Sequence, residues 1–426
     1  MTPAQSCMNE NAAQLRRADA QAHEPLIGLA SLMSMAFAGI DLAPLGARLI
    51  QRAQCAPGDA NALMDLSTIL QLRKDRDIGL ALQAQALQLR QLYRGPACDG
   101  SAAIRLLALM APGDLMANTP LEFLLQDSGV ALEMLYIVPG LPFPPPIPAH
   151  DLVFVAVCES DGNRPLLRQL EVLLQSWPRP VCNLPGRIGR TSREAAHALL
   201  ASEAAIHIPV SARVGRHTLQ RVCGNEIALA AVFEDGGFPL IIRPVDSHAG
   251  QGLMKIDAEA DLAEYLLAMP QDEFHISRFI DYRSADGLFR KYRVVLIDGR
   301  PFAGHMGISA HWMIHYLNAG MNESAAKRAE EERFMATFDE DFASRHAAPF
   351  AAIAARIGLD YLVIDCGETS DGKLLVFELD PGAVVHAMDP PGLFPYKQAQ
   401  MQKVFKAFGD MLRRSVDAAG GARRRR

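Results

Sequence analysis

The sequence lacks the features that mark three broad classes of protein. Its seven cysteines are scattered, with no CxxC pair and an odd count, which argues against a disulfide framework and fits reduced thiols. No apolar run approaches the roughly 18 residues that a membrane helix needs, and the polar N-terminus has no signal-peptide apolar core. A net charge of −6 leaves no electrostatic footprint for nucleic acid. We therefore expect a cytoplasmic protein that binds neither membranes nor nucleic acid.

Apolar residues, by contrast, are plentiful. Half of the 426 residues are hydrophobic, enough for a large core divided over two or three domains. Over residues 26–94, leucine and isoleucine recur near helical spacing, with a charged break at 74–77 and a predicted N-cap at Asp59. We predict a module of helical hairpins over 1–100, tetratricopeptide-like in length, although the aromatic signature positions of that repeat are largely absent.

After this module, continuous apolar runs alternate with helical segments. The runs lie at 104–110, 132–138 and 151–157, and a proline-rich connector follows the second of them at 139–148. Uninterrupted apolar strands between helices are typical of a parallel sheet covered on both faces. We therefore predict a small parallel α/β domain over 101–188.

Polar side chains follow two of these strands. In such sheets, ligands bind at the C-terminal ends of the strands, so residues there form a candidate acceptor pocket. The candidates are Asp114, Asn118 and Thr119 after the first strand, and Glu159, Ser160 and Asp161 after a later one.

A predicted hairpin near the end of the chain carries three carboxylates. Two apolar runs, 361–364 and 374–377, flank a Ser-Asp-Gly turn. Alternation along the second strand puts Glu378 and Asp380 on one face, and Asp365 closes the first strand opposite them. Three hard oxygen ligands in this arrangement suit Mg²⁺. The alternative is an exposed hairpin whose acidic residues are simply solvated.

A glycine-bearing loop lies upstream, between two predicted strands within 238–256. Gly250 and Gly252 let backbone N–H groups approach an anion closely, as a phosphate-binding loop requires. Arg243 ends the first strand and would add a fixed positive charge beside a phosphate. His248, inside the loop, either donates a hydrogen bond to a phosphate oxygen or faces water.

These two features together resemble the ATP-grasp superfamily, in particular its glutathione synthetase and RimK-like domains. In that family a Lys-Pro strand end precedes a glycine-rich loop over the triphosphate, and an acidic residue with a Glu-x-Asn pair binds magnesium. Here Arg243 stands where lysine is usual, and Asp380 stands where asparagine is usual. The resemblance implies that ATP and Mg²⁺ are the cofactors and that Asp365, Glu378 and Asp380 hold the metal.

Two further segments fall in the order that the resemblance implies. The first is a strand and hinge, 273–280, whose backbone would receive the adenine. The second is a hairpin over 291–301 with a tight Asp-Gly turn, in which Arg293 would reach the phosphates and the reacting carboxylate. The residues assigned to ATP here are Ser277, Arg278, Phe279, Ile280 and Lys291, and the catalytic residues are Arg243 and Arg293.

Another nucleotide contact is expected at the start of a helix that Ser192 caps. ATP-grasp chains place a lysine there, and this chain has none. Arg193 is the nearest match, with Arg190 as the rival.

His311 and His315 lie four residues apart, so on a helix they would face one way as a metal pair. The segment equally fits a strand or loop, in which case the two residues contact substrate or pack.

The predicted fold class is α/β (α+β): the helical module, the small pre-ATP-grasp α/β domain, an ATP-grasp domain over 189–415, and a disordered basic tail over 416–426. The resemblance covers about 101–415. For the tail, the alternative to solvation is a functional contact through its arginines.

As function, the resemblance implies an ATP-dependent ligase that joins a carboxylate to an amine (or thiol) through an acyl phosphate. Its partners would be a small-molecule or peptide carboxylate and an amine acceptor. Two alternatives stay open, a decayed scaffold or binding protein and an ATP-grasp kinase. The sequence also leaves open whether a protein or peptide partner binds the N-terminal helices and whether the chain forms a homodimer.

Overall fold

The computed structural model describes residues 24–95, 103–143, 146–234, 236–245, 247 and 250–424. Its first part is the predicted set of helix pairs: α1 (Leu29–Phe37), α2 (Ala43–Cys55), α3 (Ala60–Leu72) and α4 (Arg76–Leu89). Asp59 caps α3 as expected, its carboxylate accepting a hydrogen bond from Ala62 N at 3.0 Å. The four helices enclose a small apolar core around Leu32, Leu49 and Ile69. Whether the pairs are true tetratricopeptide units stays a prediction.

The second part is a five-stranded sheet with strand order β1-β3-β2-β4-β5. Its strands are β1 (Leu92–Arg94), β2 (Ile104–Met110), β3 (Val130–Tyr136), β4 (Leu152–Val155) and β5 (Val181–Cys182). Strands β2 to β5 are parallel, as predicted, whereas β1 is an antiparallel edge. Three helices accompany the sheet: α5 (Leu121–Leu124), α6 (Arg164–Leu174) and α7 (Pro185–Ile188). The sheet thus begins before the predicted boundary at residue 100.

A smaller sheet follows, built entirely of antiparallel strands. The chain first forms a 3₁₀ turn (Gly189–Thr191), α8 (Arg193–Leu200) and β6 (Ile206–His207). The strands β7 (Ser211–Gly215), β8 (Leu240–Pro244), β9 (Met254–Ile256) and β10 (Glu273–Arg278) then lie in the order β7-β10-β8-β9. Helices α9 (Arg216–Cys223) and α10 (Glu259–Ala268) accompany it, with a 3₁₀ turn at Leu229–Ala231. This unit has its own apolar core, centred on Phe274.

The last sheet has the order β12-β11-β13-β14-β6. It comprises β11 (Phe289–Ile297), β12 (Arg300–Ser309), β13 (Tyr361–Glu368) and β14 (Leu374–Asp380), with β6 added in parallel to β14. Both predicted hairpins are therefore present. Asp298 and Gly299 have positive φ, as a tight two-residue turn requires. Between the hairpins lie a 3₁₀ turn (Tyr316–Asn318), α11 (Ala325–Ala336), α12 (Phe342–Arg345) and α13 (Ala347–Ile357).

A long C-terminal helix, α14 (Pro395–Arg424), joins the parts. Phe408 packs against Phe154 of the parallel sheet and Tyr361 of the last sheet, with ring centroids 5.8 and 5.4 Å apart. The helix continues to Arg424, so the prediction of a disordered tail from 416 was wrong over most of that range. Alanine and arginine are good helix formers, and the packed part of α14 has already met the cost of nucleation.

The predicted architecture is thus present: a helical module, a small parallel α/β domain, and two further sheets of different size. None of the helices in the described part of the chain is long and apolar enough to span a membrane.

Candidate functional site

A cavity of about 1070 Å³ lies between the small antiparallel sheet and the last sheet. We call it the cleft. The strands β8, β10, β11, β13 and β14 contribute to its walls, together with the loop after β4 and the segment that follows β14. The predicted metal, phosphate and adenine residues therefore lie around one space.

The three predicted metal ligands lie in one wall of the cleft. The pairing of β13 with β14 shifts by one residue between Asp365 and Cys366, which places Asp365 directly opposite Glu378. Such a bulge re-aims the side chains beside it. Asp380 follows two residues later and also lines the cleft. The hairpin therefore brings the three carboxylates together as expected, and their role as metal ligands stays a prediction.

Asp365 is held by two cations from the neighbouring strand. Its oxygens accept from Lys291 Nζ at 2.7 Å and from Arg293 Nε at 2.8 Å, and its side chain is only 7% exposed. Burial alone would raise the pKa of Asp365, but the charges of Arg293 and Lys291 overcome this and lower it. Both of its oxygens are therefore engaged.

The negative charges of Glu378 and Asp380 are neutralised less completely by nearby cations than that of Asp365. Glu378 pairs with Arg193 Nη2 at 2.8 Å and keeps 44% of its side chain accessible to the cleft. Burial opposes ionisation of Glu378, but the charges of Arg193 and Arg243 lower its pKa overall. Burial and the charge of Glu378 raise the pKa of Asp380 to about 7. A cation between these two carboxylates would relieve their repulsion.

Two of the three predicted carboxylate ligands suit Mg²⁺, and the third is occupied by cations. Within the described residues, no group of three His, Cys, Asp or Glu side chains is arranged to hold a metal ion by itself. Mg²⁺ typically takes one or two carboxylates and completes its shell with phosphate oxygens and water. Glu378 and Asp380 fit that pattern, while Asp365 anchors Lys291 and Arg293.

The predicted phosphate loop is described in part, and its described residues include Arg243, Gly250 and Gly252. Arg243 lines the cleft from β8, donates through Nε to Ser247 Oγ at 3.1 Å, and makes no ion pair with a described residue. Burial and the nearby Arg193 lower its pKa to about 10. Gly252 has φ +66°, and a Cβ there would lie 2.7 Å from Pro244 Cδ, so the turn requires glycine.

Gly250 also has positive φ and lines the cleft. His248, the other predicted phosphate contact in this loop, lies outside the described residues.

The choice between Arg193 and Arg190 is resolved by geometry. Ser192 caps α8 as predicted, accepting from Ala195 N at 3.3 Å, and Arg193 then points into the cleft. Arg190 donates to the backbone oxygen of Arg356 at 2.9 Å instead. Of the two arginines, only Arg193 lines the cleft, and its contact with a nucleotide stays a prediction.

The predicted adenine segment lines the cleft throughout: Ser277, Arg278, Phe279 and Ile280 all contribute to its wall. Trp312, from the loop after β12, packs edge-on against Phe279 with ring centroids 5.8 Å apart. The segment therefore offers aromatic and polar groups to the cleft, and its contact with adenine stays a prediction.

The substrate candidates divide into two groups. Ser160 and Asp161 lie in the cleft wall, where Asp161 pairs with Arg164 at 2.9 Å and also contacts Arg213. Glu159 lies beside them and pairs with Arg164 Nη2 at 2.8 Å.

The three candidates after β2 lie outside the cleft. The loop there folds back on its own strand, because the side-chain amide of Asn118 pairs with both backbone groups of Ala111, at 2.7 and 2.8 Å. Asp114 pairs with Arg76 of α4 at 3.0 Å, and Thr119 is buried. Asp114 and Asn118 thus bind protein groups, and none of the three residues reaches the cleft, so their assignment to substrate is not retained.

His311 and His315 do not form a metal pair. The segment between β12 and the 3₁₀ turn is an irregular loop, so a spacing of four residues gives no shared helical face there. His315 lines the cleft, whereas His311 is exposed outside it.

The sequence patterns did not predict some of the residues that line the cleft. His305 pairs in register with Arg293 across β11 and β12, and burial together with the Arg293 charge holds its pKa well below the ordinary value. A correct prediction of the register between β11 and β12 would have placed His305 opposite Arg293. His386 and Phe37 are in contact, with ring centroids 5.5 Å apart, although about 350 residues separate them. No local sequence signal links such a pair.

No family model matches the chain, and no curated protein matches it in sequence. Among solved structures, the chain is similar to the VanG D-Ala:D-Ser ligase of Enterococcus faecalis, with 14% identity and a TM-score of 0.44 over 72% of this chain and 99% of that one.

Two further solved structures are similar at the same level. One is a RimK domain ATP-grasp protein of Sphaerobacter thermophilus, with 17% identity and a TM-score of 0.40 over 72% of this chain and 98% of that one. The other is the D-alanine-D-alanine ligase of Coxiella burnetii, with 10% identity and a TM-score of 0.44 over 75% of this chain and 97% of that one. The residues of the cleft, not these likenesses, carry the functional proposal.

Proposed function

We propose that the protein is an ATP-dependent ligase of the ATP-grasp type, which activates a substrate carboxylate by phosphorylation and joins it to an amine (or thiol). The observation that carries this proposal is the cation surplus at the glycine loop. Arg243 is half-buried beside a second cation, Arg193, and makes no direct ion pair with a described carboxylate; the charge of Glu378 acts on it only at longer range. A buried cation is costly unless it is paired. A polyphosphate in the cleft supplies the missing negative charge.

The nucleotide then lies along the cleft. Its base lies against the hinge segment 277–280, and its phosphates reach the backbone N–H groups around Gly250 and Gly252. Arg193 and Arg243 bind the phosphate oxygens, where a fixed guanidinium can make two parallel hydrogen bonds.

Glu378 and Asp380 would hold Mg²⁺, and its role when bound is to offset charge on the phosphate oxygens. Asp365 keeps Lys291 and Arg293 in fixed positions, so these cations meet the reacting groups without a further cost of ordering.

The reaction needs no side-chain nucleophile. A carboxylate oxygen of the substrate attacks the γ-phosphorus and ADP leaves, which gives an acyl phosphate. The amine nitrogen then attacks the acyl carbon, inorganic phosphate leaves, and the nitrogen loses a proton. Arg293 lies where it can stabilise the negative charge that develops on the acyl group, since its guanidinium lines the cleft beside Asp365.

Release of ADP and of inorganic phosphate, measured over a panel of amino acids and short peptides, tests this proposal. A ligase releases both products in equal amounts, and only when carboxylate and amine are present together. ADP release with retention of the phosphate on the product would identify a kinase. No release with any acid, despite nucleotide binding, would favour a binding protein.

A further inference from the structure

Helix α1 forms one wall of the cleft. The proposed reaction does not need a helix at this position. Met33, Ala36 and Phe37 line the cavity and follow the spacing i, i+3, i+4, so they share one face of the helix. Leu32 is instead fully buried in the core of the helical module. The helix therefore divides its apolar side chains between that core and the cleft.

This wall adjoins the charged end of the cleft. Arg293 Nη1 donates a hydrogen bond to the backbone oxygen of Val384 at 3.0 Å. Two residues later, His386 packs its ring against Phe37 at 5.5 Å. Burial lowers the pKa of His386 to about 4, so the ring is neutral at pH 7 and behaves as part of an apolar surface. A substrate whose carboxylate lies at Arg293 would thus extend toward α1.

The surface of the wall is apolar and adaptable. Leu72, Met116 and Met388 line the cleft together with the residues of α1. Methionine fills irregular space and tolerates partners of different shape. Met33 and Phe37 are partly exposed, and the space that exposes them is the cleft. Apolar surface inside a concave site favours an apolar ligand group.

The position of α1 is fixed from outside the helix. Asp65 accepts hydrogen bonds from Ile27 N at 2.9 Å and Gly28 N at 3.1 Å, and Glu122 accepts one from Ala30 N at 2.9 Å. These carboxylates satisfy the free N–H groups at the start of the helix and complement its dipole. The wall is therefore a preorganised surface.

We propose that α1 completes a subsite for an apolar side chain of the substrate. The protein then selects amino acids or short peptides with side chains of leucine or phenylalanine size over those of alanine size. This inference rests on the proposed function and specifies its substrate class. It also gives the N-terminal helices a role within the active site.

The test compares Phe37→Ala with Ile78→Ala in the full chain. Ile78 lies on α4, is 61% exposed, and does not line the cleft, so it controls for loss of a surface apolar side chain. Two substrate pairs are used: leucine against alanine, and Leu-Leu against Ala-Ala. The kinetic readout is KM and kcat for ADP release, and calorimetry with Mg·ATP alone checks that the nucleotide site is intact.

For the unaltered protein and Ile78→Ala, we expect KM to be about tenfold lower for the leucine compounds, since a few methylenes in an apolar pocket give this much discrimination. Phe37→Ala should lose that preference, mainly through a higher KM for the leucine compounds, while its nucleotide affinity stays unchanged. Equal KM values for both pairs in the unaltered protein, or a preference that survives Phe37→Ala, would overturn the subsite.

A second readout separates failure of the subsite from failure of the ligase proposal. The unfolding temperature is measured with a non-hydrolysable ATP analogue and about 10 mM of each compound, a concentration that shifts the temperature only where the compound binds the folded protein. If no compound supports ADP release, stabilisation by leucine compounds that Phe37→Ala abolishes still supports the subsite. Absence of stabilisation by every compound rejects it.

Discussion

The two ends of the cleft are built in opposite ways. The phosphate end is made of charged side chains on adjacent strands, with Asp365 holding Lys291 and Arg293 in direct ion pairs. The α1 end is made of apolar side chains from segments far apart in the chain, and its clearest contact joins Phe37 to His386. The phosphate end is suited to stabilising charge that develops during a reaction. The α1 end is suited to recognising the shape of an apolar group.

The difference shows which parts of a site a sequence can reveal. Chemistry on a strand or turn leaves a local pattern, because side chains alternate along strands and glycine marks particular backbone conformations. A wall assembled by tertiary packing leaves only ordinary apolar residues, which look like core. The two ends should therefore respond differently to substitution, and the following predictions test this.

Glu378→Gln should have the largest effect. The change removes the negative charge that faces Arg193, Arg243 and the proposed metal site without creating a cavity, so the fold should persist. We expect ADP release to fall by about 100-fold or more, as for the loss of a group that stabilises charge in the transition state. Glu264→Gln, at an exposed position on α10, is the matched control. Near-normal turnover of Glu378→Gln would show that the acidic wall is not part of the catalytic centre.

Substitution of Arg243 should have a graded effect. Arg243→Ala removes the unpaired cation of the phosphate end, and we expect kcat/KM to fall by about 100-fold. Arg243→Lys keeps the charge and loses only the two-pronged geometry, so a fall of about tenfold is expected. Steady-state kinetics on both variants measures the ratio. Equal and small effects would mean that the phosphate loop has been placed wrongly.

At the α1 end, a buried carboxylate should affect stability and its pH dependence. Burial raises the pKa of Glu122 from 4.5 to about 7. The folded state therefore binds more protons than the unfolded state between these values, and the contribution of Glu122 to stability is lost as the pH rises from 4.5 to 7. Glu122→Gln should abolish a fall of about 3 kcal/mol in the free energy of unfolding between pH 4.5 and 7, measured by urea unfolding at several pH values. An unchanged slope would show that the carboxyl is not desolvated.

The smallest effect is expected for Asp114→Asn. Asp114 lies outside the cleft, and its pair with the 58% exposed Arg76 is of the kind that contributes little to stability. We expect kcat/KM to stay within about twofold of the unaltered protein, whereas Asp161→Asn, inside the cleft, should change KM. A strong loss of activity in Asp114→Asn alone would return this loop to the substrate site.

The strands, the two hairpins and the N-caps at Asp59 and Ser192 were predictable because each depends on a few neighbouring residues. The glycine loop and the carboxylates of the last hairpin were predictable for the same reason. The engagement of Asp365 was not, since it depends on the pairing of β11 with β13 across about 70 residues of chain.

The loop after β2 shows a second limit. Asn118 has the side-chain chemistry and the position of a ligand-binding residue, but its amide forms hydrogen bonds with the backbone of Ala111. Side chains of this type compete for local backbone groups, and the sequence does not tell which partner wins. The extension of α14 beyond residue 416 is similar, because packing earlier in that helix decides it.

If the cation surplus at Arg243 serves a nucleotide, calorimetric titration with Mg·ATP should detect binding to the unaltered protein. Binding should occur with a dissociation constant between about 1 μM and 1 mM, the range usual for enzyme substrates. Arg243→Ala should weaken it by at least about tenfold through loss of a charge-assisted contact. Glu264→Gln, the surface control, should bind as the unaltered protein does. No heat of binding at millimolar nucleotide, or equal affinity in the Arg243→Ala variant, would contradict the account.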